Sequence, residues 1–144
     1  MSWDLLAFRA PAEFKSPRTE DLPAGWQPQP FGLRAEVQTR LVSLLAGVQF
    51  NFHNATLWGV WRAQTCSLEV NLGDAEDIVY LWFAARGDQD QAIETIAAIL
   101  DAFSLRGVDL QSGDFFQIAK ARETFQQWRN SVERLRAMTQ QKPS

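Results

Sequence analysis

Only one cysteine and one histidine occur among the 144 residues. A lone cysteine cannot close an internal disulfide, which excludes the stapled framework of a small secreted domain. The same scarcity excludes a structural zinc site of the ordinary cysteine and histidine kind. Neither Gly-x-Gly-x-x-Gly nor Gly-x-x-x-x-Gly-Lys occurs, so the usual phosphate-cradling loops are missing. No run approaches the roughly 18–20 consecutive apolar residues of a membrane-spanning helix. The opening Met1-Ser-Trp-Asp-Leu-Leu-Ala-Phe-Arg9 lacks the basic segment and apolar core of a signal peptide. A cytoplasmic location with a reduced thiol is therefore expected, with no membrane contact.

What is present describes one domain of ordinary size. Hydrophobic residues make up 46% and charged residues 22%, enough apolar mass for a core and too balanced for wholesale disorder. The net charge of −3 conceals an asymmetry. Residues 115–144 carry six basic and two acidic groups, net +4, which leaves −7 on residues 1–114. Between Glu69 and Asp101 eight acids face only Arg86. Nucleic-acid binders draw affinity from neutralised phosphates, so this acidic middle argues against that class.

Trp3 to Ala10 has apolar residues on both faces and predicts a strand inside a sheet. Five of the six prolines then fall between Pro11 and Pro30. Each removes a backbone donor and restricts its neighbour, so residues 11–32 are expected to form a strap pinned by Trp26 and Phe31. Leu33, Val37, Leu41, Leu44, Leu45 and Val48 are spaced for an amphipathic helix closed by Gly47. Three strands are expected next, over Thr56–Arg62, Cys66–Leu72 and Ile78–Ala85, joined as an antiparallel meander with a hairpin connection at Gly73–Asp77. Asp88 to Leu105 predicts a second helix with acids in its first turns and Gly107 as its stop. A short strand over Val108–Leu110 and a long helix capped by Asp114 and running to about Met138 complete the order.

The order β-α-β-β-β-α-β-α predicts an α+β domain over residues 1–139. Its expected form is a single sheet of about five strands, with helices packed on it, a long C-terminal helix and a frayed tail at 140–144.

Candidate chemistry is sparse. His53, the only residue of the type most often used as a general base, sits between asparagines and reads as a loop residue, because no Ser or Cys is spaced to be activated by it. Cys66 alternates with Leu68, Val70 and Leu72 and reads as a buried small hydrophobe. Asp74, Glu76 and Asp77, and separately Asp88 and Asp90, match no calcium-loop pattern; they read as solvated turn and helix-start acids at opposite ends of one strand. Ile118, Ala121, Phe125, Trp128, Val132 and Leu135 form a heptad-like seam, flanked by Arg122, Arg129 and Arg136 at sevenfold spacing. That arginine row and the acidic region are opposite in sign, which favours an approach within the chain, in a homodimer or toward a partner.

The Ser2-Trp-Asp-Leu-Leu-Ala-Phe-Arg-Ala-Pro11 opening, Leu68-Glu-Val-Asn-Leu-Gly73 and the Arg86-Gly87 strand exit resemble small uncharacterised bacterial α+β proteins with no assigned activity. The resemblance implies a bacterial cytoplasmic α+β domain and supplies no catalytic residue and no cofactor.

Three functions follow as expectations. The first is a non-enzymatic protein-binding module, in its most concrete form an immunity-type protein whose acids cap a basic partner surface. The second is a small-molecule-binding domain or minor enzyme, with a pocket between sheet and strap near Trp26, Trp58 or Trp61. The third is a structural homo-oligomer built on the C-terminal helix.

Overall fold

In the computed structural model, which describes residues 2–117, 134–135 and 137–138, strand β1 (Trp3–Phe8) lies inside a six-stranded sheet. The remaining elements are a short 3-10 helix (Thr19–Asp21), β2 (Gly32–Leu33), α1 (Arg34–Leu44), β3 (Gln49–His53), β4 (Thr56–Arg62), β5 (Cys66–Gly73), β6 (Asp77–Ile78), β7 (Leu81–Gly87), α2 (Gln89–Phe103) and β8 (Arg106–Asp109). The sheet runs β3-β4-β5-β7-β1-β8, every neighbouring pair antiparallel. A two-stranded sheet joins β2 to β6. The α+β class holds, with a main sheet of six strands rather than about five and a second sheet of two, α1 and α2 packing on the main sheet. Of the expected long C-terminal helix only residues 134–135 and 137–138 are described, and these are helical.

Alternation along the strands builds the core. Leu5, Phe83 and Val70 are register partners across β1, β7 and β5, and all three are fully buried. They meet Ile93, Ile96 and Ile99 of α2 and Val37, Leu41 and Leu45 at α1 in one cluster. Burial of each such side chain contributes about 1.5–3 kcal/mol, which makes this face the main source of stability. The opposite, outer face is treated differently along its width. At the β1/β8 end, Phe8, Val108 and Phe115 form a second cluster roofed by Phe14, Leu22 and Trp26 of the proline-rich strap. Arg106 fastens that roof. Its guanidinium stacks 3.9 Å from the Phe115 ring and donates to the carbonyl oxygens of Phe14 and Ser16. Phe115 N–H donates to the Pro17 carbonyl, and Thr19 Oγ1 donates to that of Gly113.

Several expectations need correction. Residues 49–53, read as a loop around His53, form edge strand β3: Phe50 and Phe52 alternate with polar neighbours, and Asn54 and Ala55 turn the chain with φ of 51° and 68°. The strand expected over Ile78–Ala85 is split, because Ile78 pairs with Gly32 in the small sheet and β7 begins only at Leu81. Helix α1 is shorter than Leu33–Ala46; Leu33 belongs to β2 and Leu44 is exposed. Ser104, in the left-handed conformation, ends α2, whereas Gly107 lies within β8. Asp114 caps no helix at the expected place, since Phe115 beside it bridges to Val108. The seam at 118–132 and Arg122, Arg129 and Arg136 lie outside the described residues.

The start of α2 carries a testable contribution. The Asp88 carboxylate accepts N–H bonds from Asp90 and Gln91, satisfying donors the helix cannot satisfy itself. Asp88→Ala is expected to lower unfolding free energy by about 1 kcal/mol, with Asp88→Asn costing less; urea titration of both variants measures the difference.

Candidate functional site

Away from the strap the outer face of the sheet has no covering element among the described residues. One register row crosses it: Trp58 of β4, Asn71 of β5, Trp82 of β7 and Leu6 of β1. At about 4.8 Å per strand, Trp58 and Trp82 stand about 10 Å apart and the row spans about 14 Å. The next row holds Val60, Glu69, Ala84 and Asp4. Glu69 pairs diagonally with Arg86 at 3.3 Å. Trp82 and Tyr80 are each 43% exposed, high for such large rings on a sheet. Tyr80 also meets Phe8 edge-on at 6.0 Å, which joins the open face to the strap-covered cluster.

Where the strap meets the ends of β5 and β7 there is an open groove of about 370 Å³. Gln27 and Pro28 form one wall, and the end of β5, the turn after it and Val79 and Tyr80 form the other, with Asp74 and Asp77 among them. The β5–β6 turn supplies its charge. Gly73 takes a left-handed φ of 80°, and Asn71 Oδ1 accepts the Gly73 N–H, so the chain bends and presents Asp74, Glu76 and Asp77 to solvent. Aromatic surface and carboxylates are thus neighbours on one end of the molecule.

The other sequence candidates separate. Asp88 and Asp90 lie at the far end of β7, about 20 Å from the acidic turn at roughly 3.4 Å per strand residue. Trp26 is on the outer face, held against Phe8 at 5.7 Å. Trp61 is on the opposite face, packed against the core with Nε1 donating to the Ala46 carbonyl. The three tryptophans therefore share no pocket. Tyr80 and Trp82 were missed because the stretch Ile78–Ala85 reads as apolar on both faces and so as fully covered, and Gln27 because the proline-rich strap has no periodicity to place it. Their exposure depends on where the strap stops, which periodicity does not report.

Cys66 and His53 do not form a nucleophile–base pair. Cys66 is buried at the start of β5, and burial, reinforced by the nearby Asp88 charge, pushes its thiol pKa up and keeps it protonated. His53 is exposed at the end of β3 beside the far end of β5, about 20 Å away. No three His, Cys, Asp or Glu side chains among the described residues converge to hold a metal ion, and no described helix is long and apolar enough to cross a membrane. The chain matches no protein-family model, no curated protein and no solved structure.

Proposed function

We propose that the chain is a non-enzymatic protein-binding module that holds a basic partner segment against the open aromatic face, beside the acidic β5–β6 turn. The observation that carries this reading is the Trp58–Asn71–Trp82–Leu6 row, with Tyr80 and the exposed Asp74–Asp77 turn beside its middle. Large, rigid aromatic side chains lose little entropy when covered and serve as anchors, while carboxylates at the rim steer a cationic partner and reject an acidic one. An immunity-type role, in which these acids cap the basic surface of a toxin, is the most concrete form of this proposal.

Capture from a native lysate on the immobilised chain at physiological salt tests it. A basic protein should be retained, Trp82→Ala should weaken the complex by about 30-fold or more, and charge reversal at Asp74 and Asp77 should slow association. Trp82 is exposed, so its loss leaves the fold intact. Retention of no protein would remove the reading. The groove beside Tyr80 supports a second one, a small-molecule site; a co-purified mass seen in native mass spectrometry and lost in Tyr80→Ala would favour it.

A further inference from the structure

Among the described residues strand β3 is an unprotected edge of the six-stranded sheet. Its two-residue turn makes His53 and Thr56 the closing pair, which exchange both backbone hydrogen bonds; alternation then directs the N–H and C=O of Phe50 and Phe52 away from β4. Among the described residues nothing outside β3 and β4 bonds to these groups. Edge strands are ordinarily guarded by charge, proline or a bulge. Gln49–His53 has none of these. The whole stretch 41–61, twenty-one residues, contains no Asp, Glu, Lys or Arg, in a chain that is 22% charged. Within it Phe52, on β3, is 62% exposed. The Arg34 guanidinium lies 5.3 Å from the Phe52 ring centre and holds it at the edge.

We propose that β3 pairs antiparallel with β3 of a second copy of this chain, about a two-fold axis passing beside Asn51. The register is self-consistent. Phe50 faces Phe52 of the partner subunit, so the four outward-pointing groups of each strand meet their complements in four backbone hydrogen bonds. Asn51 faces its own counterpart in a non-hydrogen-bonded pair, with Cα atoms about 4.5 Å apart. The occupant is a second copy because β3 itself carries no Asp, Glu, Lys or Arg and its outward backbone groups complement themselves about the axis, so two chains of net charge −3 meet there without opposing like acids. The two sheets become one of twelve strands, and the edge disappears.

Sedimentation of the full chain from micromolar to near-millimolar concentration should show reversible doubling of mass. Phe52→Glu, whose new carboxylate is accommodated by Arg34, should keep the circular dichroism spectrum and remain monomeric. Under mild oxidation Asn51→Cys should cross-link at least about tenfold faster than Gln49→Cys, because only the residue at the axis brings its own copy within disulfide reach. The unsubstituted chain should not cross-link, its Cys66 being buried. A mass that stays at one chain throughout, a dimer that survives Phe52→Glu, or Asn51→Cys no faster than Gln49→Cys would each overturn the proposal.

Discussion

Gly87→Ala is expected to cost about 3–4 kcal/mol, although it adds a single methyl group at an exposed position. Gly87 ends β7 with φ of +93°, where L side chains are strained. A Cβ there would stand 2.4 Å from the Thr65 carbonyl oxygen and 2.9 Å from Cys66 Cα. Both obstacles are backbone, so no rotamer change relieves them. The same Thr65 carbonyl accepts the Asp88 N–H at 2.8 Å, so displacing it also disturbs the entry to α2. Thermal unfolding should show a midpoint lowered by about 10 °C. A change under 2 °C would mean that the strand exit relaxes freely.

Phe83→Ala tests the other half of the same strand and should cost about 3–5 kcal/mol. Its ring is fully buried between Leu5 and Val70, under the isoleucines of α2, and truncation leaves a cavity that three strands cannot collapse to fill. The adjacent Trp82 provides the control. It points to the opposite face, so Trp82→Ala should cost less than about 1 kcal/mol in stability while weakening partner capture. Denaturant titration of the pair separates the two faces. Equal losses would contradict the one-sided core.

The alternation that supports this contrast was readable before any coordinates. Leu5 and Ala7, Cys66, Leu68, Val70 and Leu72, and Ile93, Ile96, Leu100 and Phe103 are buried as their spacing implies. Parity alone would also have separated Trp58 from Trp61: three residues apart on one strand, they must face opposite sides. Strand β3 carried the same signal in Val48, Phe50 and Phe52, outweighed by asparagines that look like turn residues. Other features are decided by distant partners. Ile78 leaves the path of β7 because Gly32 pairs with it, and Gly107 is small because a side chain there would strike Leu5, its Cβ falling 2.2 Å from Leu5 Cδ2. Neither partner is near in sequence. The acidic turn was visible as composition, but that it borders an aromatic face follows from the strap covering Phe8 and stopping short of Trp82.

The position of β1 has a consequence for how the molecule is made. It is synthesised well before its partners, since it sits between β7 and β8, whose residues follow it by about eighty and one hundred positions. The β3–β4–β5–β7 meander can zip up from neighbouring hairpins as it emerges, whereas β1 must wait, apolar on both sides, for the chain to reach Asp109. During synthesis the growing chain therefore carries a sticky, unpaired segment. Any factor that shields residues 3–8 until then should raise the yield of folded protein more than one acting on the middle of the chain.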